Sequence, residues 1–455
     1  MHRTRHLSMT EGPLLPAIVR FSLPLMLSNV LQVLFNMSDI AVVGRFAGPA
    51  ALGAVGSTTI LITLFTGFLI GMGSGVNVTV ARYLGAESHR DVSETVHTSA
   101  LLLLATGLLL LAAGFAFTPG MLSLLGTKPE LMDGAVRYLR IYLLGMPAAA
   151  LFNFGSGVMS AAGDTRHPLT FLTIAGALNV ALNILFVVGF RMAEAGVALA
   201  SAISQYVSAA LTLISLARRP ESIGLHLNRL RLSAQKSAQV LAISIPSGLQ
   251  NAIFAIANLF IQAGVNTFDA VMVEGNAAAA NAVALVYDVM AAVYMACSSF
   301  MGQNFGAGKK ERVKKSYLLC LGLSFGVGAL LSALLLLFGR TFLSLFTSDA
   351  EVAQAGLARL RVMGCSYAFS ALMDCSIAAS RGLGRSLVPT VIVILGSCVF
   401  RVVWVYTVFA HFHTILSLYL LYIFSWALTG AAELLYFLHC YRERTALLGK
   451  QRTDE

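Results

Sequence analysis

The chain has 455 residues, of which 57% are hydrophobic and only 11% are charged. Soluble domains carry about 25% charged residues, so this composition excludes a soluble protein and predicts an integral membrane protein in a lipid bilayer. The net charge of +10 is not arranged as a basic stripe interleaved with aromatic residues, which excludes nucleic acid as a partner.

Long apolar runs occur in both halves of the chain. Each run is long enough for a membrane-spanning helix, which needs about 20 residues. Six runs lie in the first half, near residues 21–43, 53–80, 93–118, 135–160, 168–190 and 195–217. Six more lie in the second half, near residues 237–265, 271–297, 316–338, 352–379, 387–410 and 414–438. The sequence therefore predicts an all-α integral membrane protein with twelve transmembrane helices.

The segments around these runs predict the domain organisation. It consists of an N-terminal tail (1–20), an N-lobe (21–217), a basic linker (218–236), a C-lobe (237–440) and a C-terminal tail (441–455). Most of the 31 lysines and arginines fall on one side of the predicted spans, and such residues gather in cytoplasmic loops. We therefore expect a multi-pass protein of the plasma (inner) membrane, with both termini and the linker in the cytoplasm.

The two halves repeat one another at three places. FSLPLMLSN (21–29) matches ISIPSGLQN (243–251), YLGAESHRDV (83–92) matches NFGAGKKERV (304–313), and AAGDTRHP (161–168) resembles ASRGLGRSLVP (379–389). Each pair lies on the same predicted side of the membrane, which indicates a parallel repeat about an axis along the membrane normal. The expected architecture is two pseudo-symmetric six-helix lobes around a central cavity, with alternating access by rocking of one lobe against the other.

These motifs, in this order and spacing, resemble those of the multidrug and toxic compound extrusion (MATE) transporters, and the resemblance covers nearly the whole chain. The longest matching stretch is SLPLMLSNVLQVLFNMSDIAVVGRFAGPAALGAVGS (22–57). The resemblance implies a bacterial exporter of organic cations, often drugs, driven by an inward proton or sodium gradient. Within the family, the chain is similar to DinF-like rather than NorM-like members.

Asp39 interrupts the apolar run FNMSDIAVVG (35–44) in the first predicted span. An ionised aspartate at a helix centre costs about 2.5–3.5 kcal/mol. Gln32, Asn36 and Asp39 recur at i, i+4 and i+7 on one helix face, so we predict that they line the cavity and that Asp39 cycles the coupling ion. The alternative is a hydrogen-bonded structural aspartate near the membrane surface. Pro24, which removes a backbone hydrogen bond from the same helix, is the predicted hinge.

The resemblance implies that this aspartate works with polar residues of the fifth and sixth spans. Asn179 matches the asparagine of the family, whereas Asn183 stands where DinF-like proteins have an aspartate and Ser201 where a threonine is usual. One carboxylate therefore stands where relatives have two, so their proton relay cannot be carried over unchanged. Asn153 in the fourth span and Gln205 in the sixth complete the predicted cavity lining.

The C-lobe contributes Asp288, Asp374, Arg401 and Glu433 as candidate functional residues within predicted spans. Asp374 lies seven residues before RGLG and is similar to the NorM-like tenth-helix aspartate that is associated with cation coupling. The seventh-helix glutamate of NorM-like proteins has no counterpart in QNAIFAIANLF (250–260). Arg401 requires an anion in mid-membrane, and we predict an ion pair with Asp374 or Asp288.

The chain lacks the motifs of enzymes and nucleotide-binding proteins. Gly67, Gly71 and Gly75 have the four-residue spacing that lets helices approach closely, but neither a following Lys-Ser/Thr nor a preceding strand makes this a phosphate loop. No Ser-His-Asp or zinc-hydrolase pattern occurs. We therefore expect no enzymatic activity and no cofactor, the coupling ion being H⁺ or Na⁺.

The leading functional prediction is a monomeric antiporter that exports amphipathic organic cations or drugs in exchange for protons. A sodium-coupled exporter is the runner-up, since Na⁺ is satisfied by carboxylate and amide oxygens. A flippase of lipid-linked sugars is a third reading, although such proteins tend to carry several cationic residues in the cavity, where Arg401 stands alone. A membrane-embedded enzyme or receptor lacks support from a catalytic constellation or an extramembrane domain.

Overall fold

The computed structural model describes residues 8–220, 222–344, 347 and 349–451. Residues 1–7 and 452–455 of the two predicted cytoplasmic tails lie outside the described residues. All regular secondary structure in the described part is helical, and it includes no strand. The helices are α1 Leu14–Phe46, α2 Gly48–Gly85, α3 His89–Leu124, α4 Pro129–Leu143, α5 Met146–Ala161, α6 Arg166–Gly189, α7 Ala193–Ala217, α8 Ala234–Val265, α9 Ala270–Gly306, α10 Lys310–Leu343, α11 Ala350–Gly382, α12 Leu387–Phe412 and α13 Ile415–Gln451.

Eleven of the described helices are long and apolar enough to cross a membrane, and the pair α4 and α5 makes up to twelve if it is one span. This pair is bent by 43° at a short break, which contains Gly145. The predicted all-α fold class with twelve spans is thereby confirmed. Proline occupies the start of both α4 and α5, where its missing N–H costs no helical hydrogen bond.

The described chain forms two compact units whose borders fall inside helices. Unit 1 comprises residues 27–252, and unit 2 comprises residues 8–26 and 253 onward. The first border lies two residues after Pro24 in α1, and the second lies in α8, which also contains a proline, Pro246. The lobe boundaries predicted from hydropathy and the hinge at Pro24 stay predictions.

Glycines of α2 let this helix pack closely against the first half of α8 within unit 1. A Cβ atom on Gly71 would overlap the backbone of Gly248, and one on Gly75 would overlap Ser244. Polar side chains of α8 use the short distance: Ser244 Oγ donates to the Met72 carbonyl at 2.9 Å. The close helix approach predicted from the glycine spacing is therefore confirmed.

The loop YLGAESHRDV binds the start of α8. Lys236 Nζ donates to Tyr83 OH at 2.9 Å and to Asp91 Oδ1 at 2.6 Å, and it lies 4.0 Å from the centroid of the Tyr83 ring. Tyr83 OH donates onward to Gln239 Oε1 at 2.6 Å. The Lys236 side chain is only 3% exposed, so its ammonium requires these partners. We call Tyr83, Asp91, Lys236 and Gln239 the first clasp.

The matching loop NFGAGKKERV binds the segment that precedes α1. Asn304 Nδ2 and Arg312 Nη2 both donate to the Met9 carbonyl at 3.1 Å, and Arg312 Nη1 donates to the Gly12 carbonyl at 2.8 Å. Arg312 Nε donates to Asn304 Oδ1 at 3.0 Å. We call these four residues the second clasp. The repeated loop thus has a similar structural task in both units, which is to fix the chain at, or just before, the start of the first helix of a repeat.

Asp164 in the motif AAGDTR joins the end of α5 to the linker after α7. Gly163, with φ +84°, ends α5 in a left-handed turn. Asp164 Oδ1 then accepts the backbone N–H groups of Arg166 and His167 at 3.2 Å, while Oδ2 accepts from Arg219 and lies 2.6 Å from His167 Nδ1. Although burial opposes ionisation, the hydrogen bond and charge of Arg219 hold the pKa of Asp164 below its ordinary value.

The first prediction concerns the α2–α8 contact. Gly71→Ala is expected to destabilise the protein by about 1–3 kcal/mol, because the added methyl group meets backbone that cannot move away. Gly56→Ala in the same helix meets nothing within 4 Å and serves as the matched control. Thermal unfolding in detergent compares the two variants, and equal midpoints for both would contradict the packing argument.

The second prediction concerns pH and Asp164. Because the folded-state pKa is depressed, the carboxylate stabilises the fold above the unfolded-state value of about 3.9, and this stabilisation is lost as pH falls through the folded pKa. Near neutral pH, Asp164→Asn is expected to lower the free energy of unfolding by about 2 kcal/mol and so to unfold at a lower temperature than wild type. The difference is expected to vanish in strong acid. An unfolding series over pH measures it, with exposed Asp133→Asn as control; a pH-independent difference would exclude the ionic explanation.

Candidate functional site

The carboxylate of Asp39 in α1 is bound by side chains of α6 and α7 in unit 1. Asn183 Nδ2 donates to Asp39 Oδ1 at 2.5 Å, and Ser201 Oγ donates to Asp39 Oδ2 at 3.3 Å. Both donors are neutral. No lysine or arginine pairs with Asp39 among the ion pairs of the described residues, so its negative charge is stabilised by hydrogen bonds and not neutralised by a cation.

Asn179 closes the network. Its Nδ2 donates to Ser201 Oγ at 3.2 Å, and its Oδ1 accepts from Asn183 Nδ2 at 3.2 Å. Asn179 and Asn183 are one turn apart on α6, so both present amides to the same neighbour. The structure therefore brings together all four residues that we predicted for ion coupling. Their part in coupling stays a prediction.

α1 and α6 pack closely against each other near Asp39. Gly176, three residues before Asn179, leaves space that the Phe35 ring fills, and a Cβ atom at Gly176 would overlap this ring. Phe35 is one turn before Asp39 on α1. Sequence reasoning missed this pair, although a glycine within an apolar helix near a polar cluster is a recognisable signal of close helix approach.

The Asn183 side chain has one unused hydrogen-bonding atom. Asn183 is fully buried, and its Oδ1 has no partner among the described residues, whereas its Nδ2 donates twice. An amide can present either its NH₂ group or its oxygen to a neighbour. It can thus donate to an Asp39 carboxylate or, after rotation of the amide, accept from a protonated carboxyl group.

Asn183 also immediately precedes a π-helical stretch, Ile184–Gly189. Such stretches occur frequently at functional sites because they re-aim side chains within an otherwise regular helix. The fifth span of the second half, α12, has two of them, Ile394–Val399 and Val405–Phe409, on either side of Arg401. The repeat therefore places π turns beside a polar residue in both units.

The other cavity candidates lie outside the Asp39 network. Gln32 and Asn36 are exposed on α1, and Asn153 Nδ2 donates to the Ala149 carbonyl of its own helix at 2.9 Å. None of these three side chains takes part in the Asp39 hydrogen-bond network among the described residues. Their contact with substrate stays a prediction.

Gln205 packs against the break between α4 and α5. Its Oε1 occupies the space that a side chain at Gly145 would fill, and Tyr206 OH donates to the Leu144 carbonyl at 3.0 Å. A carbonyl at a helix break lacks its helical partner, so α7 stabilises the bend. Gln205 therefore has a structural neighbour that the sequence did not indicate.

In unit 2, Asp374 is buried among neutral donors. Its Oδ2 accepts from Ser370 Oγ at 2.9 Å, and Tyr287 OH lies 3.5 Å from Oδ1. Asp288, next to Tyr287 on α9, is half-buried. Asp374 thus repeats the principle seen at Asp39, a carboxylate held by uncharged groups.

Arg401 corrects our expectation of an ion pair. Among the described residues it pairs with neither Asp374 nor Asp288. Its Nε donates to Ser425 Oγ at 3.3 Å, and three aromatic rings surround the guanidinium, with the Cζ atom 4.8 Å from one centroid and 5.6 Å from the other two. The rings belong to Phe254, Tyr422 and Trp426. Cation–π attraction in a desolvated site, about 2 kcal/mol per ring, replaces the expected anion.

The described residues contain no group of three or more His, Cys, Asp or Glu side chains placed to hold a metal ion. In unit 1 the side-chain oxygens of Asp39, Asn179 and Ser201 belong to one hydrogen-bond network. The expectation that no cofactor takes part stays a prediction.

Comparison with known proteins shows a family match in both halves of the chain. The sequence pattern of the MatE family matches residues 24–185 and again residues 246–407. The two matched segments have the same length; they contain the second and third motif pairs and most of the first. This double match agrees with the internal repeat predicted from those motifs.

Individual relatives are distant but cover most of the chain. The sequence is 28% identical to a probable multidrug resistance protein, YpnP, of Bacillus subtilis over 79% of this chain and 80% of the relative. It is 27% identical to an FAD transporter of Shewanella oneidensis over 80% of this chain and 81% of the relative. A crystal structure of a MATE protein in complex with MaL6 superposes with a TM-score of 0.90 at 22% identity, covering 98% of this chain and 100% of the other.

The third prediction concerns the α1–α6 contact beside the site. Gly176→Ala is expected to destabilise the protein by about 1–3 kcal/mol, because the methyl group overlaps the Phe35 ring. Gly189→Ala at the end of the same helix makes only an ordinary 3.6 Å contact and is the matched control. Thermal unfolding measures both, and a Gly176→Ala variant as stable as the control would contradict the proposed spacing.

Proposed function

Because the chain belongs to the MatE family, the multidrug and toxic compound extrusion transporters, we propose that it exports amphipathic organic cations in exchange for protons. Membership of this family of transporters also confirms that the chain is not an enzyme. We further propose alternating access, in keeping with the parallel repeat.

The observation that supports this proposal most directly is the environment of Asp39. The carboxylate is bound by Asn183 and Ser201, both neutral, so its charge can be cancelled by a proton or by a substrate cation. A carboxylate paired with arginine or lysine would lose a strong partner each time it bound a proton. Neutral donors leave both states accessible, which is the requirement for a group that exchanges one cation for another.

Asn183 is suited to follow the charge of Asp39. When Asp39 is ionised, the amide NH₂ group donates to it, as in the structure. Asn183 Oδ1 has no hydrogen-bond partner among the described residues. When Asp39 is protonated, rotation of the amide brings this oxygen to the place where it accepts the carboxyl hydrogen. An asparagine therefore supports both protonation states without the second carboxylate of DinF-like proteins.

The number of protons carried determines the driving force. If one proton enters for each monovalent cation that leaves, no net charge moves, and only the pH difference drives export, at about 1.4 kcal/mol per pH unit. Asp39 alone provides this electroneutral exchange.

Sodium coupling is the alternative of the same fold. Asp374 with the Ser370 hydroxyl group and Asp39 with its amide neighbours supply the oxygen ligands that Na⁺ binds. A different substrate class is the second alternative, either a lipid-linked sugar or an anionic dinucleotide such as the one named for the Shewanella relative. The aromatic rings around Arg401 offset its charge, which does not favour an anion there.

The setting of this activity follows the sequence predictions. We propose a monomer in the plasma (inner) membrane with both termini in the cytoplasm, because most lysines and arginines fall on that side of the predicted spans. The DinF-like assignment is part of the same proposal.

The fourth prediction tests proton-coupled export in everted membrane vesicles. A fluorescent lipophilic cation, ethidium, is expected to be transported by wild type under a pH gradient and not under a sodium gradient. Asp39→Asn is expected to abolish this transport, because the amide cannot bind a proton. Asp133→Asn, an exposed aspartate of the same unit, is the matched control and is expected to behave as wild type.

Each other outcome has a defined meaning. Transport driven by a sodium gradient alone would show that the coupling ion is Na⁺ and not H⁺. Full transport by Asp39→Asn would remove Asp39 from the mechanism. Absence of ethidium transport under either gradient would defeat the proposed cation substrate, and radiolabelled FAD in the same vesicles would then test the anionic alternative.

A further inference from the structure

A buried file of polar side chains runs along one face of α13 in unit 2. Ser425, Thr429 and Glu433 follow one another at four-residue spacing and are exposed by 0%, 1% and 0%. At 1.5 Å per residue the file is about 12 Å long. The transport mechanism proposed above uses none of these residues.

The two hydroxyl groups of the file have partners. Thr429 Oγ1 donates to the Ser425 carbonyl at 2.6 Å and lies 3.0 Å from Ser397 Oγ, and Ser425 Oγ accepts from Arg401 Nε at 3.3 Å. These contacts connect the file to the guanidinium of Arg401 at one end. At the other end, neither Oε1 nor Oε2 of Glu433 has a hydrogen-bond partner among the described residues.

A fully buried glutamate without partners is expensive in its ionised form. Removing a carboxylate from water without a compensating hydrogen bond costs several kcal/mol, so the neutral acid is the favoured resting form. The charged groups that face Glu433 from the neighbouring helix α11 are Arg381 and Asp374. An unsatisfied buried group of this kind calls for an explanation, and a chemical role for the group is one of them.

We propose that Glu433 binds and releases a second transported proton, so that two protons enter for each monovalent cation exported. In each cycle the O–H bond of the Glu433 carboxyl group forms with a proton taken from water on one side and breaks to return a proton to water on the other. The hydroxyl file supplies polar partners along the buried segment. This proposal rests on the proposed proton-coupled export and extends it, because Asp39 alone would make transport electroneutral.

The ligand is a proton and not a metal ion. Among the described residues no group of three His, Cys, Asp or Glu surrounds Glu433, and neither of its oxygens has a hydrogen-bond partner there. Na⁺ and larger ions require several oxygen ligands at once. A single carboxyl group suffices for a proton.

Proteoliposomes with a potassium diffusion potential, at equal pH on both sides, test the stoichiometry. With two protons per ethidium, one net charge moves, and a potential of about 100 mV supports an about 50-fold accumulation ratio. Wild type is expected to accumulate ethidium under an interior-positive potential alone, because two protons leave for each ethidium that enters and one net positive charge moves out. Glu433→Gln is expected to lose this accumulation while retaining transport driven by a pH gradient.

The matched control is Glu443→Gln, ten residues further along the same helix. Glu443 is exposed and pairs with Arg385 at 3.0 Å, so its loss is expected to change little. Glu433→Leu separates a structural from a transport role: removal of an unsatisfied buried acid is expected to preserve or raise the unfolding temperature while abolishing potential-driven accumulation. Potential-driven accumulation that survives in Glu433→Gln would overturn the proposal.

A second measurement keeps this proposal distinct from the proposed function. Infrared difference spectra of the purified protein between acidic and alkaline pH report protonated carboxyl groups directly, without transport. A carboxylic acid band that is present in wild type and Glu443→Gln and missing in Glu433→Gln supports proton binding at Glu433, even if ethidium is not a substrate. Identical bands in all three proteins would overturn it, and so would pH-driven wild-type transport that does not respond to the potential.

Discussion

The hydrogen bond between Asn183 and Asp39 is the interaction on which the arrangement of unit 1 depends most. A carboxylate within a membrane span must be satisfied inside the protein, because no water in the hydrocarbon region replaces a missing partner. Asp39 therefore requires α6 and α7 at hydrogen-bond distance. Gly176 permits a close approach of α1 to α6, because it leaves space for the Phe35 ring. One charged residue thus determines how closely three helices pack.

Unit 2 meets the same constraint with different groups. One of its buried acids, Asp374, again relies on hydroxyl groups, whereas the buried guanidinium of Arg401 lies among aromatic faces. The repeat therefore conserves the framework, with clasps and π turns at related places, and varies the polar contents of each unit. Two halves of one chain thus present chemically unlike interiors on a common helical plan.

The sequence was most informative where hydrophobicity and composition decide the outcome, and less so where side chains meet across helices. Spans, the repeat and the polar residues of the first, fifth and sixth helices followed from hydropathy, spacing and family resemblance. The ion pair predicted for Arg401 was wrong because the helices α8 and α13 turn aromatic rings toward its guanidinium. The association of Gly176 with Phe35 was missed for the same reason, since helix rotation and register determine which residues face each other and no local pattern encodes them.

The second clasp differs from the first in what it recognises. Asn304 and Arg312 bind backbone carbonyl groups of Met9 and Gly12, which every residue type possesses, whereas the first clasp depends on the particular side chains of Lys236 and Gln239. The residue types in the segment before α1 can therefore vary between related proteins, as long as the backbone keeps its position. In α8 the identity of the residue matters. An alignment of orthologues is therefore expected to show variable residues in the segment before α1 and invariant residues at the positions of Lys236 and Gln239.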